Sequence, residues 1–202
     1  DTEYEAGVEM GRFFAEKGIK TAAIYGAFIP NPMHVYRVAG VLSGLGLSYD
    51  GATEEGEVVG KIFTDQSVDL SKISGDIQIV SYLQGYGDTT TDEINAAIQA
   101  KPEAFISVGM ATTFFTQQLN AAGIEFSDID SFTQSNGEAI TNGKLVYLAG
   151  KYSSSVGPAF ALVLNAINGN VIRDEQGNAV SLSQNYQVAT DEATFDEFYK
   201  SD

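Results

Sequence analysis

Few side chains in this sequence could carry out acid–base, nucleophilic or metal chemistry. The 202-residue chain has one histidine, His34, and no cysteine. A catalytic triad would have to use His34, and a metal ion would find only one imidazole ligand. No Gly-x-Ser-x-Gly motif is present. We therefore interpret His34 as a structural or ligand-stacking residue, and we predict no catalytic residue, cofactor, metal site or enzymatic activity.

The acidic residues also have simple structural explanations. Residues 174–178 (DEQGN) lack the alternating acids and distal glutamate of a calcium loop, so we predict a plain turn there. Asp92 and Glu93 lie at a predicted helix start, where carboxylates stabilise free amide groups. We interpret Asp128 and Asp130 as solvated turn or edge residues.

The composition argues against nucleic-acid and membrane-spanning functions. The formal net charge is −16, from 27 acidic and 11 basic residues, and such a chain is repelled by nucleic-acid phosphates. No apolar run approaches the ~18–20 residues that span a bilayer. The absence of cysteine fits an oxidising compartment.

Short apolar runs alternate with helical patterns along most of the chain. Strands bounded by helices in this way require right-handed crossovers and a sheet covered on both faces. The sequence therefore predicts an α/β fold with a mostly parallel, doubly wound sheet flanked by helices. The predicted strands are Thr21–Tyr25, 77–82, 104–108, 129–132 and Leu145–Gly150.

Two segments depart from this alternation. Residues 50–76 are acidic and contain glycine, with a β-like run at 57–63, and we predict an inserted surface hairpin or long loop. Residues 155–168 form a predicted helix that is apolar on a wide face and needs cover on more than one side. A hairpin around Gly177-Asn178 and a short helix at residues 194–200 follow.

Ligands of open parallel sheets bind beyond the carboxyl ends of the strands. A dinucleotide-binding motif needs glycines after the first strand so that the backbone can approach the pyrophosphate. The loop at residues 26–34 has Phe28, Ile29 and Pro30 there instead, which excludes that motif. Aromatic rings in such loops can stack on a sugar or a base, or can simply pack within the protein, and both readings stay open. The predicted ligand-binding residues are Phe28, Asn31, His34, Tyr86, Met110, Thr133 and Gln134.

Four stretches of the chain carry a family resemblance. They are residues 1–26 (DTEYEAGVEMGRFFAEKGIKTAAIYG), 37–40 (RVAG), 103–124 (EAFISVGMATTFFTQQLNAAGI) and 137–170 (GEAITNGKLVYLAGKYSSSVGPAFALVLNAINGN). In this order they resemble the second lobe of the type I periplasmic binding proteins, the solute receptors of bacterial ABC importers, whose fold is shared by lactose-repressor-type effector domains. The resemblance covers nearly the whole chain but only the second half of a family member.

The resemblance implies a domain organisation. Residues 1–149 would form the second lobe, with an insertion at about 50–76. Residues 150–184 would form a crossover helix and hairpin that pack on a first lobe, and residues 185–202 a tail that returns to the second lobe. Because the chain starts at Asp1 in helical sequence, we expect a trimmed or processed fragment. The broadly apolar helix at 155–168 would then dock on a second copy, giving a homodimer, or fold back on its own sheet.

The resemblance also implies a function. The chain would belong to an extracytoplasmic solute receptor, periplasmic or a cell-surface lipoprotein, which closes by hinge motion on a small polar molecule and presents it to a membrane permease. The alternative is a ligand-sensing regulatory or signalling domain of the same fold. In either case Arg37 is expected to anchor its helix rather than to contact ligand.

The ligand positions of monosaccharide-binding members differ here. The residues at those positions are Val35, Val108, Gly109, Thr133 and Gly150, which replace polar partners of sugar hydroxyls. An unpaired buried polar group costs about 1–3 kcal/mol, so the pattern argues against a simple pentose or hexose. The segment 79–88 (IVSYLQGYGD) has some likeness to nucleoside-binding lipoproteins, so the ligand is predicted to be sugar-like or nucleoside-like.

Overall fold

The computed structural model describes residues 2–26, 28–85, 89–129, 132–151, 156–181 and 184–201. The helices are α1 (Thr2–Glu16), α2 (Pro32–Gly44), α3 (Glu55–Asp65), α4 (Thr91–Gln99), α5 (Ala111–Ala122), α6 (Gln134–Asn142), α7 (Gly157–Ile167) and α8 (Glu192–Ser201). The strands are β1 (Thr21–Tyr25), β2 (Ser48–Tyr49), β3 (Ile73–Ser74), β4 (Gln78–Leu83), β5 (Ala104–Ser107), β6 (Glu125–Ile129), β7 (Leu145–Gly150) and β8 (Gln187–Ala189).

Six of the strands form one sheet in the order β4-β1-β5-β6-β7-β8. All neighbours are parallel except β7 and β8, which pair antiparallel. This confirms the predicted α/β fold with a mostly parallel sheet. The chain moves from β1 to β4 on one side and then to β5 on the other, so the direction of winding reverses between β1 and β5. Such a reversal opens a crevice at the carboxyl ends of the two strands.

Each face of the sheet carries its own apolar layer, because successive strand residues point to opposite sides. In β1, Ala22 and Ile24 join the layer formed with α1, α2 and α3, whereas Ala23 and Tyr25 join the layer formed with α4, α5, α6 and α8. Helices therefore cover both faces, which explains why the buried strands are nearly continuous apolar runs.

Helices α1 and α2 approach each other unusually closely because glycines line their contact. A Cβ atom added to Gly40 would overlap the carbonyl oxygen of Tyr4, and one added to Gly7 would overlap that of Arg37. Gly11 and Gly44 meet the facing backbone in the same way. The pair forms a rigid unit that carries the loop between β1 and α2.

Two sequence predictions are corrected by the structure. The β-like run at residues 57–63 is helical, within α3, because Val58, Val59 and Ile62 form a buried stripe at helical spacing and the helix packs against α2. The strand predicted at 129–132 instead spans β6, at Glu125–Ile129. The sequence of β6, EFSDI, contains a Ser and an Asp that are fully buried. Because a buried strand is expected to be apolar, the strand was predicted too late in the sequence, starting at the last residue of β6.

The C-terminal segments behave differently from one another. β8 adds to the sheet edge, and Phe195 of α8 packs against Phe132 with ring centroids 5.9 Å apart. By contrast, α7 has no buried residue, so the expectation that it folds back on its own sheet is wrong. Phe160 and Ile167 are 67% and 76% exposed. Within the described residues, no helix combines the length and apolarity needed to cross a bilayer.

Candidate functional site

The carboxyl ends of β1, β4 and β5 meet through glycines. A Cβ on Gly85 would lie 2.7 Å from the Cα of Gly26, and a Cβ on Gly26 would lie 3.0 Å from the carbonyl oxygen of Gly109. Gly26 has φ of 101°, a conformation that favours glycine. The three loop backbones are therefore in direct contact, and the side chains that follow them are displayed around one point of the sheet edge.

The β1–α2 loop is a compact turn built by its own polar groups. The Asn31 side chain accepts from the backbone N–H of Met33 at 3.1 Å and so caps α2. Pro32 follows at the first helical position, where its missing N–H costs nothing. Phe28 is half-buried, and its backbone N–H donates to Nδ1 of His34 at 3.2 Å. Phe28 and Asn31 thus lie in the loop at the carboxyl end of β1, beside the β1–β5 switch point.

His34 supports this loop from inside. The residue is only 2% exposed, and its Nδ1 accepts the Phe28 amide, so the imidazole is neutral with its proton on Nε2. Burial, followed by the charge of Arg37, lowers the pKa of His34 from 6.5 to about 4. A neutral, buried ring of this kind holds the loop in shape and does not present its face at the surface. The structure thus places His34 in a supporting position inside the loop, which is the structural alternative of the sequence interpretation.

Met110 occupies the loop between β5 and α5 in a strained conformation. Its φ and ψ are 68° and 16°, in the left-handed region that side-chain-bearing residues avoid at a cost of about 1–2 kcal/mol. The residue is half-buried and stands at the N-cap position of α5 without a side-chain cap of its own. Strain of this size persists only where surrounding contacts hold it.

Asp128 supplies the contacts that hold this loop, and its interpretation as a solvated residue is wrong. The carboxylate is fully buried on β6. Its Oδ2 accepts from the Thr112 backbone N–H at 2.8 Å and also from the Thr112 hydroxyl. Its Oδ1 accepts from the Ser107 hydroxyl and from the Ile129 N–H, each at 3.0 Å. Ser107 Oγ in turn accepts from the Gly109 N–H at 3.1 Å.

Arg37 is a structural anchor, as the sequence predicted. It is 5% exposed, and its guanidinium donates to Glu3 Oε2 at 2.7 Å, to the Val108 carbonyl at 2.9 Å and to the Tyr186 hydroxyl at 2.6 Å. Burial alone would raise the pKa of Glu3, but the Arg37 charge and its hydrogen bond outweigh it and lower that pKa. Lys151 completes the cluster, 4.3 Å from the centre of the Tyr186 ring. The cluster ties α1, α2, the end of β5 and the C-terminal tail together.

Thr133 and Gln134 lie beyond β6, one strand further along the same edge. Both are exposed. Thr133 caps α6 by accepting from the Asn136 N–H at 3.3 Å, and Gln134 donates to Glu138 at 3.0 Å. The predicted residue Tyr86 and the acid Asp130 lie outside the described residues.

Two hollows of the described surface lie away from these residues. A groove of about 550 Å³ runs between α5 and α6, and a cavity of about 150 Å³ lies between α4 and α5, beside Tyr25 and Phe114. Neither is lined by Phe28, Asn31 or Met110. Among the described residues, no group of three or more acidic or histidine side chains could hold a metal ion.

Comparisons with known proteins concern the fold. No protein-family model and no curated protein sequence matches this chain. Solved structures do match. The fructose-binding periplasmic domain of a hybrid two-component system has a TM-score of 0.66 at 13% identity, over 100% of this chain and 60% of that one.

Two solute-binding proteins give similar agreement. The periplasmic solute-binding protein of an Actinobacillus succinogenes ABC transporter, with bound D-allose, has a TM-score of 0.60 at 15% identity, covering 98% of this chain and 62% of that one. An ABC transporter solute-binding protein from Burkholderia graminis, in complex with D-arabinose, has a TM-score of 0.61 at 15% identity, covering 93% and 59%.

The chain has the fold of the type I periplasmic binding proteins. It spans about 60% of the length of these structures. Ligands of open parallel sheets bind at such a switch point, which here is the meeting of the β1–α2 loop with the loop that bears Met110. Sequence reasoning missed Asp128. One feature of the sequence could have indicated it: Ser127 and Asp128 are two adjacent polar residues within a segment whose position in the alternation of strands and helices predicts a buried, apolar strand.

Proposed function

We propose that this chain binds an uncharged sugar or sugar-like molecule at the carboxyl edge of its parallel sheet, through contacts other than those of the monosaccharide-binding members, whose polar positions are occupied here by Val35, Val108 and Gly150. The observation that carries the proposal is the contact, at the β1–β5 switch point of a type I periplasmic-binding-protein fold, between the loop that bears Phe28 and Asn31 and the loop that bears Met110. In this proposal the Phe28 ring packs on the C–H groups of a sugar ring, and Asn31 and Thr133 bind hydroxyl groups. Two solved structures of the same fold are described as complexes with D-allose and with D-arabinose.

The electrostatics of the edge favour a neutral ligand. Helix N-termini are natural anion sites, yet those at this edge are already capped by the protein's own side chains. Asn31 caps α2, Thr90 and Glu93 cap α4, Asp128 serves α5 and Thr133 caps α6. The nearby cation, Arg37, donates to Glu3, Val108 and Tyr186. A sugar phosphate or nucleotide would meet no uncompensated positive group from these elements, in a chain of net charge −16.

We further propose that the chain works as the solute-binding component of an ABC importer. In that role residues 1–149 are one lobe, with the insertion at about 50–76, residues 150–184 cross to a first lobe and residues 185–202 return. The ligand closes the two lobes by contacting both, and the closed protein meets a membrane permease outside the cytoplasm. The exposed apolar face of α7 is covered by the first lobe or by a second copy of the chain.

The fructose-binding neighbour supports a second candidate. That neighbour is a periplasmic domain of a hybrid two-component system, so the same lobe serves equally as a sensor whose ligand shifts a signalling assembly. Both candidates act by binding without catalysis. The single imidazole of the chain, His34, is buried and hydrogen-bonded within the loop, so it is not placed to act as a general base.

A ligand panel tests the proposal on the full-length protein. Isothermal calorimetry and thermal shift would compare D-fructose, D-allose, D-arabinose, myo-inositol and oligosaccharides with adenosine and with glucose 6-phosphate. We expect binding by a neutral polyol, with a rise in apparent melting temperature, and none by the phosphate ester. Adenosine as the sole ligand would favour the nucleoside alternative. Preferential binding of glucose 6-phosphate would refute the neutral-ligand proposal.

A further inference from the structure

The loop that bears Met110 is tied at both ends to one buried group. Before Met110, the Gly109 N–H donates to Ser107 Oγ at 3.1 Å, and Ser107 Oγ donates to Asp128 Oδ1 at 3.0 Å. After Met110, the Thr112 N–H donates to Asp128 Oδ2 at 2.8 Å. Met110 itself adopts the left-handed conformation between these two ties.

The Asp128 carboxylate replaces an N-cap that the local sequence lacks. A helix normally gains its cap from a Ser, Thr, Asp or Asn at the N-cap position, which accepts from the second or third amide. Met110 occupies that position in α5 and makes no side-chain cap. Asp128, 16 residues later and on the neighbouring strand, accepts the second amide instead, and its negative charge suits the positive end of the helix.

We infer that Asp128 is a positioning residue for the ligand site: it holds the 109–112 turn so that Met110 is presented to ligand at the β1–β5 switch point. The inference rests on the proposed function for its ligand, but not for its geometry. Asp128 does not touch ligand, because it is fully buried beneath the loop. A local cap on Met110 would tie only one end of the turn, whereas Asp128 ties both and so fixes a strained residue in place.

The test uses Asp128→Asn in the full-length protein, with Ser127→Ala as matched control. Ser127 is the neighbouring fully buried polar residue, but its hydroxyl bonds to Ser107 backbone and to Met10 Sδ, not to α5. The chain has three methionines, so methyl-¹³C-methionine labelling gives three NMR signals. The signal that is missing from Met110→Leu is assigned to Met110. Hydrogen exchange of amides 109–113 provides a second readout that needs no ligand.

We expect Asp128→Asn to shift and broaden the Met110 signal, to speed exchange at amides 109–113, and to weaken binding of the sugar that wild type prefers by roughly tenfold, as for one strong hydrogen bond lost. Ser127→Ala should move the Met10 signal and leave affinity within about twofold, on the same scale. An unchanged Met110 signal and unchanged exchange at 109–113 in Asp128→Asn would overturn the inference.

Two further outcomes are separable. If wild type binds no sugar in the panel, the proposed function fails, while the NMR and exchange readouts still decide whether Asp128 positions the turn. If Asp128→Asn does not fold, Ser107→Ala decides, since it removes the hydroxyl that joins the Gly109 amide to Asp128. A displaced Met110 signal in Ser107→Ala supports the inference, and an unmoved one refutes it.

Discussion

Gly40 of α2 packs directly against the carbonyl oxygen of Tyr4 on α1. A Cβ atom at Gly40 would overlap that oxygen and would also lie 2.9 Å from the Val8 nitrogen. Because both neighbours are helix backbone, neither can rotate away as a flexible side chain would. At this point the close approach of α1 and α2 therefore depends on the absence of a methyl group on residue 40.

Replacing Gly40 by alanine should destabilise the protein by about 3 kcal/mol, since the two helices must move apart to admit the methyl group. Gly60→Ala is the matched control, because Gly60 lies inside α3 with nothing within 4 Å of its added Cβ. That change should stabilise the protein by about 0.5–1 kcal/mol through helix propensity alone. Urea unfolding measures both. Equal effects of the two substitutions would show that the helices do not meet at Gly40.

The Arg37–Glu3 pair should behave as a buried, coupled pair. Arg37→Met leaves the Glu3 carboxylate without its main partner and should cost about 3–5 kcal/mol of unfolding free energy. Adding Glu3→Gln should recover part of that loss, which a double-mutant cycle in urea would detect. The exposed pair of Lys17 and Glu125 is the control, and Lys17→Met should cost less than about 1 kcal/mol. Strict additivity of the Arg37 and Glu3 changes would contradict the coupling.

His34 should make the protein sensitive to mild acid. Its pKa is 6.5 when unfolded and about 4 when folded, so the unfolded chain binds more protons between those values. The contribution of His34 to stability is complete above about pH 6.5 and is lost as pH falls toward 4, by at most about 3 kcal/mol. His34→Asn keeps an acceptor near the Nδ1 position for the Phe28 amide but does not titrate. Unfolding free energies measured from pH 7 to pH 4 should therefore decline less steeply in His34→Asn, and parallel curves would exclude this role.

The element order could be read from the sequence because it depends on local patterns. Buried strands such as Leu145–Gly150 are continuous apolar runs between helical segments, and the structure has this strand at the predicted bounds. The β-like run at 57–63 misled because Val58, Val59 and Ile62 suit either a strand or a helix, and only packing against α2 decides between them.

The site was less predictable because its supporting contacts are remote in sequence. Arg37 meets Glu3, Val108 and Tyr186, which lie 34, 71 and 149 residues away. No local pattern predicts which carbonyl or hydroxyl a buried guanidinium will reach. Asp128 is a similar case, since its partner Thr112 lies on another element and the residue itself looks like an ordinary turn acid.

Phe28 should contribute directly to ligand affinity. Phe28→Ala is expected to weaken binding of the preferred sugar about tenfold, since an aromatic face stacked on a ligand is worth about 1–1.5 kcal/mol. Phe114→Ala is the control, because Phe114 is 41% exposed on α5 but lies outside the β1–α2 loop. Calorimetry should find its affinity within about twofold of wild type. A larger loss in Phe114→Ala would move the site to the cavity between α4 and α5.

The apolar face of α7 should control self-association of the 202-residue chain without supporting its sheet. Phe160 and Ile167 are exposed, so the double change Phe160→Ser and Ile167→Ser should alter the unfolding free energy by less than about 0.5 kcal/mol. Leu119→Ala, which empties a fully buried position, should cost about 2–5 kcal/mol. Light scattering after gel filtration should find a smaller assembly in the double variant than in wild type, because apolar surface of this kind drives association. If the double variant were as unstable as Leu119→Ala, α7 would pack on the sheet. A monomeric wild type would exclude the homodimer.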